Sequence, residues 1–212
     1  MKTESNKNHW EKIYQYSQSN ELSWTEGIPY ISLYQIHKLQ LPKEAGIIDV
    51  GGGTSNLVDY LLKDRYSNIT VLDISETAIT KAKTRLGSLA DKVTWIVSDI
   101  TQFKSKKQFD FWHDRATFHF LTNDADIQKY ISIAHNAIKD QGFLSLSTFS
   151  NEGPSECSGL KIKQYNEETL SNVFTPFFEK SWCVQHKHYT PFDTEQSFIL
   201  CMFKHLSKIH SL

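Results

Sequence analysis

The sequence predicts an α/β domain built on a doubly wound, mostly parallel sheet. Short β-branched runs alternate with helical patterns over residues 46–149, as expected when parallel strands are joined by crossover helices. Two further strand-like runs follow, joined by a short turn as in an antiparallel hairpin. With 212 residues, 39% of them hydrophobic, the chain is long enough to bury the core of one domain.

The predicted strands are runs of β-branched and aromatic residues that lie between turn residues. The seven runs are Gly46–Val50, Ile69–Asp73, Val93–Val97, Phe109–Asp114, Phe143–Phe149, Trp182–Tyr189 and Phe198–Lys204. We expect Asp140–Gly142 to turn the preceding helix into the fifth strand. The last two runs are expected to form the closing hairpin.

The predicted helices are placed by their start signals and by apolar periodicity. Pro29 lies near the start of a helix over Ile28–Leu39. Ser75 is expected to cap a helix that ends at Gly87. An apolar stripe marks an amphipathic helix over Ala125–Lys139. Two shorter helices are expected, one through Tyr60–Leu62 and one over Asn166–Val173.

We expect a single domain over residues 1–212. Its predicted parts are an N-terminal aromatic cap and helix (1–40), a cofactor-binding core (46–149), and a substrate loop with the closing hairpin (150–212). The aromatic cap is named for Trp10, Tyr14 and Trp24.

Composition argues against several classes of partner. A formal net charge of −1 disfavours a dedicated nucleic-acid binder, and we interpret Lys104, Lys106 and Lys107 as a solvated turn. No apolar run approaches the roughly 20 residues that span a bilayer, so no membrane contact is expected. Three widely spaced cysteines favour reduced thiols over a disulfide framework. We therefore expect a cytoplasmic protein, and its oligomeric state is left open.

A glycine run follows the first strand directly. Asp49 lies within that strand, and Gly51, Gly52 and Gly53 lead into the next helix. Bare backbone lets a ligand approach closely, and we expect the loop to point N–H groups at that ligand. Asp73 closes the second strand 22 residues after Gly51, where a doubly wound fold accepts hydrogen bonds from ribose hydroxyls.

Asp99, next to Ile100, closes the third strand, where its carboxylate could accept a hydrogen bond from an adenine amino group. Taken alone, each carboxylate is better interpreted as a helix cap or turn residue. All three in register with one glycine loop favour a nucleotide site. Asn56 replaces the third small residue that a pyrophosphate loop needs, and Asp49 suits a cationic ligand. These two features favour S-adenosylmethionine over a nicotinamide cofactor.

The motifs, in this order, resemble those of class I S-adenosylmethionine-dependent methyltransferases, in the type 11/12 branch. Residues 47–57 are similar to the family's first motif, 71–75 to its ribose-binding motif, and 97–100 to its adenine-contacting motif. Residues 109–120 and 138–144 are similar to two later motifs. The opening Trp10–Tyr14 with Trp24 is similar to a subgroup that includes protein-lysine methyltransferases. Residues 113–120, with residues 156–159, are closer to a bacterial branch of small proteins.

The resemblance implies a Rossmann-like sheet of seven strands in the order 3-2-1-4-5-7-6, with S-adenosylmethionine as cofactor and S-adenosylhomocysteine as product. No metal is expected. The residues expected to bind the cofactor are Trp10, Tyr14, Trp24, Asp49, Gly51, Gly52, Gly53, Asp73, Ile74, Asp99, Ile100 and Asp114. The alternative for the three aromatic residues is a purely structural role, in which they only pack within the N-terminal cap.

The acceptor site is expected near the end of the fourth strand. His113, Arg115 and His119 are the candidate catalytic residues, because histidine titrates near neutral pH and arginine can clamp a carboxylate. The alternative is that Arg115 pairs with Asp114 and that His119 packs on the following helix. The loop over residues 149–159 is a candidate lid, and Cys157 in it is interpreted as an ordinary thiol.

Three functions stay open on the sequence. The first is a methyltransferase that acts on a small molecule. The second is a protein-lysine methyltransferase, suggested by the N-terminal resemblance. The third is a nicotinamide-dependent oxidoreductase or a nucleotide-binding module without catalysis. His186 and His188 share a strand face without a companion ligand, so zinc is not expected.

Overall fold

The computed structural model describes residues 2–18 and 21–206, with side chains from residue 6 onward. The two ends of the predicted 1–212 domain and residues 19 and 20 lie outside that description. The helices of the described chain are α1 (Lys2–Tyr16), α2 (Tyr30–Lys38), α3 (Leu57–Lys63), α4 (Glu76–Leu86), α5 (Asp124–Ala137) and α6 (Glu167–Phe174).

The strands are β1 (Gly46–Val50), β2 (Asn68–Asp73), β3 (Val93–Val97), β4 (Phe109–Arg115), β5 (Ile138–Phe149), β6 (Glu156–Cys157), β7 (Leu160–Lys161), β8 (Phe178–Tyr189) and β9 (Glu195–His205). Seven of them form one sheet in the order β3-β2-β1-β4-β5-β9-β8, and β6 and β7 form a separate hairpin. The pairs β1–β2, β2–β3 and β4–β5 are parallel, and β5–β9 is antiparallel. The predicted fold class and strand order are confirmed. The predicted sixth and seventh strands are numbered β8 and β9, because β6 and β7 precede them in the chain.

The chain forms two compact units. The first consists of Met1–Phe103 with Tyr189–Thr194, and the second of Lys104–His188 with Glu195–Leu212. The first unit contains β1, β2 and β3, and the second contains β4, β5 and the hairpin strands. No helix in the described part of the chain has the length and apolar character needed to cross a membrane. The single-domain assignment stays a prediction.

The boundary between α5 and β5 differs from the prediction. The helix ends at Ala137, and the strand begins at Ile138, five residues earlier than expected. Ile138 is fully buried and pairs with Phe109, so tertiary burial extends the strand through the polar stretch that was predicted to be a turn. The residues of the predicted turn form an irregular part of β5, in which Gln141 has φ +63°. The pairing of β4 with β5 shifts in register between Phe109 and Phe111.

The expectation of reduced thiols is wrong for two of the three cysteines. Cys183 and Cys201 form a disulfide, with their Cα atoms 4.1 Å apart. They lie on the adjacent strands β8 and β9, so the hairpin register brings them together although 18 residues separate them in sequence. Cys157 is the free and buried cysteine.

A buried polar network fastens α5 to β4. The Trp112 indole N–H donates to the Tyr130 hydroxyl at 2.9 Å, and that hydroxyl donates to Asp114 Oδ2 at 2.7 Å. Both Trp112 and Tyr130 are fully buried. Because β-strand side chains alternate between faces, Trp112 and Asp114 share the face of β4 that α5 covers. His113 and Arg115 consequently lie on the opposite face.

We predict that Tyr130→Phe lowers the free energy of unfolding by about 1–3 kcal/mol, because it leaves the Trp112 N–H and one Asp114 oxygen without their buried partner. Urea unfolding followed by circular dichroism measures the change. Tyr34→Phe is the control, since Tyr34 is exposed and the change should stay within about 0.5 kcal/mol. Equal stabilities for the two variants would contradict the role given to this network.

Candidate cofactor and acceptor sites

The glycine loop after β1 needs its glycines for two physical reasons. Gly51 and Gly53 adopt φ +66° and +50°, a region that side chains with a Cβ rarely enter. A Cβ on Gly52 would come within 2.8 Å of Asp49 Oδ2, and one on Gly53 within 2.5 Å of the Tyr14 hydroxyl. The loop is therefore packed tightly between a buried carboxylate and an aromatic hydroxyl.

The loop does not present its first N–H groups as predicted. Gly51 N and Gly52 N both donate to the Leu72 carbonyl, at 2.7 and 3.2 Å, and Gly53 N donates to the Asp73 carboxylate. The expectation that these N–H groups point at a ligand is wrong, because β2 ends beside the loop and takes them. A pyrophosphate cradle needs such donors for the phosphate oxygens. The loop is therefore poorly suited to that group.

Asp73 is a buried carboxyl group at the end of β2. Its Oδ1 accepts from Ser75 N at 2.8 Å, and Gly53 N also donates to it. Burial raises its pKa to about 7, the nearby charges of Asp49 and Glu11 act in the same direction, and the two backbone hydrogen bonds oppose the shift. Asp73 thus joins the glycine loop to the start of α4, while a carboxylate with two oxygens can accept further hydrogen bonds.

The other strand-end carboxylates differ from Asp73 in their surroundings. Asp49 is buried beneath the glycine loop. Asp99 is half-buried, and its Oδ1 accepts from the N–H and the hydroxyl of Thr101, both at 2.8 Å, so it caps the short turn that begins at Ile100. Ile100 is buried and Ile74 is half-buried. These residues share the first unit with Asp73, and their predicted cofactor contacts stay predictions.

The three aromatic residues of the N-terminal cap pack on one another. Trp10, Tyr14 and Trp24 lie with ring centroids 5.8–6.3 Å apart, against Leu22 and Ala78. Packing within the cap is therefore one of their roles. Tyr14 also brings its hydroxyl to Gly53, which keeps the predicted cofactor role of this side chain open.

Sequence reasoning missed Glu11, which fastens α1 to the start of α4. Its carboxylate accepts from Glu76 N at 2.6 Å, from Thr77 N at 3.1 Å and from the Ser75 hydroxyl at 3.0 Å. These donors are first-turn groups of a helix, which attract a carboxylate. The three hydrogen bonds span 64–66 residues of chain, so no local pattern could predict them.

Arg85 and Asn56 were also missed as supports of the glycine loop. Arg85 donates to the carbonyls of Thr54 and Ser55, both at 2.8 Å, and pairs with Asp59 at 2.7 Å. The Asn56 side chain donates to the carbonyls of residues 26 and 27, at 3.0 and 3.2 Å. The loop is therefore fixed from both sides by side-chain donors to its backbone or to neighbouring backbone.

In the second unit, Asp114 is fully buried and its hydrogen bonds shape the turn after β4. Its Oδ1 accepts from Thr117 N at 3.0 Å and from Phe118 N at 3.2 Å, and its Oδ2 accepts from Tyr130. Burial raises its pKa to about 6, and these three hydrogen bonds and the charge of His113 oppose the shift. The carboxylate holds the turn over Phe118–Phe120, so its structural use is evident, and its predicted cofactor contact stays a prediction.

The three candidate catalytic residues occupy different settings within this unit. His113 is buried in β4, with its ring stacked on Phe111 at 6.4 Å. Arg115, at the end of the strand, lies 3.2 Å from His188 Nδ1 and 5.7 Å from the Phe198 ring centroid. The alternative of an Asp114–Arg115 pair is not among the hydrogen bonds of Asp114, whose side chain points to the opposite face of the strand.

His119 is fully buried and stacks on Phe149, with ring centroids 4.7 Å apart. Its Nδ1 accepts from Phe149 N at 3.4 Å, and its Nε2 has no partner among the described residues. Burial, and to a smaller extent the charge of Arg115, lower its pKa to about 3. The alternative that His119 packs on the following helix is replaced by packing on β5.

The candidate lid loop is folded rather than open. Its end forms β6, which pairs with β7 just beyond the loop, and Ser150 bridges to Tyr165. Cys157 is buried with Phe149 and Phe198, and burial raises the pKa of its thiol. A raised pKa disfavours the thiolate, in agreement with an ordinary thiol.

The central part of the chain is similar in sequence to known methyltransferases. Residues 48–144 match the family described as a methyltransferase domain. The chain is 30% identical over 107 residues to malonyl-[acyl-carrier protein] O-methyltransferase 2 of Ilyobacter polytropus, covering 50% of this chain and 40% of that enzyme. It is 25% identical over 193 residues to human EEF1A lysine methyltransferase 2, covering 80% of this chain and 77% of that protein.

The fold matches that of the N-methyltransferase NodS from Bradyrhizobium japonicum WM9 in complex with S-adenosyl-L-homocysteine. The TM-score is 0.68 at 15% identity, over 93% of this chain and 98% of NodS. The chain spans 40%, 17% and 38% of the lengths of the first three curated relatives. The fold expected from the ordered motifs is confirmed, and the match over residues 48–144 supports the expected family.

We predict that the contribution of Asp73 to the free energy of unfolding falls as pH rises from about 4 to about 7, because folding raises the pKa of Asp73 above its unfolded value near 3.9. Asp114, with a pKa raised to about 6, acts in the same direction, whereas the lowered pKa values of His119 and His186 act in the opposite direction. Asp73→Asn removes one of these contributions, so the stability of the natural chain minus that of the variant, measured by urea unfolding at several pH values, should fall across this window by up to about 1.4 kcal/mol per pH unit. Parallel curves for the variant and the natural chain would contradict the assignment.

We predict that Glu11→Ala releases α1 from α4. Loss of three hydrogen bonds to a carboxylate should speed hydrogen exchange of the α1 amides by roughly tenfold or more. Lys12→Ala is the matched control, since Lys12 is an exposed neighbour on the same helix. If the two variants exchange at the same rate, Glu11 does not fasten this helix.

Proposed function

We propose that this chain, which belongs to the class I S-adenosylmethionine-dependent methyltransferases, transfers the methyl group of that cofactor to a small-molecule acceptor. The observation that carries the proposal is the pairing of the glycine loop with Asp73, which are joined by the Gly53 N–H. The family match over residues 48–144 supports it.

The residues of the first unit fit this cofactor. Asp73 would accept hydrogen bonds from the ribose hydroxyls, and Asp99 with Ile100 would contact the adenine. Asp49 and the glycine loop would hold the cationic amino-acid portion, since a buried carboxylate suits an ammonium group and glycine leaves room for close approach. Trp10, Tyr14 and Trp24 would cover the sulfonium with aromatic faces, which attract a cation. Ile74 completes the proposed set in this unit, and the cofactor contact of Asp114, in the second unit, stays a separate prediction.

The bound cofactor supplies an activated methyl group on sulfur. Transfer is an in-line displacement in which the carbon–sulfur bond breaks, the electron pair stays on sulfur, and the acceptor atom forms the new bond to carbon. The protein must therefore hold the acceptor in line, exclude water and provide for any proton that the acceptor loses. Such chemistry requires few specialised side chains.

The second unit favours an acceptor that is not a lysine side chain. Arg115 places a positive charge beside His119 and His186, whose imidazoles are held neutral, since burial and then the charge of Arg115 lower their pKa values to about 3 and about 4. A lysine ammonium would be repelled by this charge, whereas an anionic or neutral small molecule would not. His113, Arg115 and His119 are the proposed acceptor-site residues.

Protein-lysine methylation is the second candidate. The human EEF1A lysine methyltransferase 2 aligns over 80% of this chain, and the Trp10–Tyr14 motif with Trp24 favours the same subgroup. A nicotinamide-dependent oxidoreductase is disfavoured, because the N–H groups of Gly51, Gly52 and Gly53 are already engaged.

We predict that S-adenosylhomocysteine raises the thermal midpoint and binds in titration calorimetry, whereas NAD does neither. Asp73→Ala should weaken S-adenosylhomocysteine binding by roughly 10- to 150-fold, the equivalent of the ~1.5–3 kcal/mol of a hydrogen bond to a charged group. Asp91→Ala is the control, since Asp91 is an exposed carboxylate in the same unit. Stabilisation by NAD alone would end the proposal.

Acceptor class is tested with S-adenosylmethionine that carries a labelled methyl group. The enzyme is incubated with a protein-free metabolite extract and, separately, with the protein fraction of the same cells. We expect label in the metabolite fraction. Label that appears only on lysine residues of the protein fraction would replace the small-molecule proposal with the lysine alternative.

A further inference from the structure

The hydrogen bond at His119 fixes which ring nitrogen carries the proton. Nδ1 accepts the Phe149 N–H, so in the neutral ring the proton must be on Nε2. That Nε2–H is a buried donor without a partner among the described residues. A buried donor of this kind costs about 1–3 kcal/mol unless something accepts from it, which points to a ligand acceptor.

The same geometry removes the base role considered for this residue. A general base needs a free lone pair aimed at the proton that it takes. The only lone pair of neutral His119 is on Nδ1 and is occupied by the Phe149 N–H. The low pKa of about 3, caused by burial and then by Arg115, keeps the ring neutral at physiological pH. His119 is therefore a hydrogen-bond donor.

A second orphaned hydroxyl lies beside Arg115. Arg115 on β4 pairs with Ser147 on β5 in the parallel register, so their side chains are on the same face of the sheet. Ser147 is buried, and its hydroxyl has no partner among the described residues. Phe149, two residues further along β5, lies on that same face and carries the stacked His119 ring. Guanidinium, hydroxyl and imidazole donors thus share one edge of β4 and β5.

Aromatic rings lie beside this cluster, and His188 Nδ1 is 3.2 Å from the Arg115 guanidinium. Phe198 pairs with Phe149 across β5 and β9, and the two ring centroids are 4.6 Å apart. Arg115 lies over the Phe198 ring, and His186 stacks on it at 5.6 Å. A guanidinium charge against apolar rings is poorly screened, so it attracts an anion more strongly than it would in water.

We propose that Arg115, the Ser147 hydroxyl and the His119 Nε2–H form an oxyanion site that binds a carboxylate, or a comparable oxyanion, on the methyl acceptor. This inference rests on the proposed function in taking the anion to be part of the acceptor. The substrate class is then a small organic acid, held by its anionic group. Asp114 is a positioning residue for the site, because it fixes the turn that carries His119.

The first test is the tautomer of His119. Protein labelled with ¹⁵N-histidine is examined by long-range ¹H–¹⁵N NMR at pH 7, with His119→Phe used to assign the signal. We expect the proton on Nε2. A proton on Nδ1, or a protonated ring, would overturn the proposal, because the donor would then be absent or the ring charged.

The second test is anion binding. Benzoate, acetate and sulfate are titrated into the full chain, with benzamide as the neutral counterpart of benzoate. We expect benzoate to shift the His119 Nε2 signal and benzamide to leave it in place. If none of the three anions shifts the signal, the oxyanion site does not exist.

Variants then separate this inference from the proposed function. Arg115→Gln should weaken benzoate binding by roughly tenfold or more. Lys129→Gln, which removes an exposed cation of α5 in the same unit, should leave it unchanged. S-adenosylhomocysteine binding is measured on each protein. Retained cofactor binding with no anion response sinks the oxyanion site alone, whereas absent cofactor binding in the natural chain sinks the proposed function. If Arg115→Gln fails to fold, the tautomer and the titration of the natural chain still decide.

Discussion

A buried carboxylate must receive hydrogen bonds from its own surroundings, and that constraint organises each unit of this protein. In the first unit, Asp73 accepts from Ser75 N and Gly53 N, so one side chain joins the end of β2 to α4 and to the glycine loop. In the second, Asp114 accepts from Thr117 N, Phe118 N and the Tyr130 hydroxyl. Each carboxylate has a raised pKa because burial outweighs these bonds. The turns that carry the candidate site residues therefore take their shape from the hydrogen bonds that their backbone N–H groups donate to these two buried carboxylates.

The sequence predicted the strands and helices because their signals are local, whereas the strand order was implied by the family resemblance. Alternating β-branched runs, a serine cap at Ser75 and a glycine run after β1 each depend on a few neighbouring residues. Contacts between distant residues were not predictable in this way. Glu11 reaches the start of α4 across 64–66 residues, and Cys183 meets Cys201 only because β8 and β9 pair in one register. Burial of Ile138 against Phe109 likewise overrides a turn signal that is strong in isolation.

The candidate sites show a finer limit of sequence reasoning. Residue type suggested that His119 could act as a base, since free histidine titrates near neutral pH. In the structure His119 is a hydrogen-bond donor instead, because the backbone N–H of Phe149 donates to Nδ1 and leaves the proton on Nε2. In the glycine loop, the neighbouring Leu72 carbonyl reverses the expected direction of two N–H groups. Protonation and donor direction are set by tertiary neighbours, so motif spacing alone identifies the residues without their roles.

Asp73 also connects stability with ligand binding. A carboxyl group with a pKa of about 7 spends part of its time protonated at neutral pH, and in that state it accepts hydrogen bonds poorly. Ribose hydroxyls, if bound as proposed, would donate to the ionised form, so binding would lower the pKa of Asp73 and release a proton. The free-energy cost of burying this group in the ligand-free chain is then offset in the complex. The carboxyl group that lowers the stability of the ligand-free chain would, under the proposed function, strengthen ligand binding.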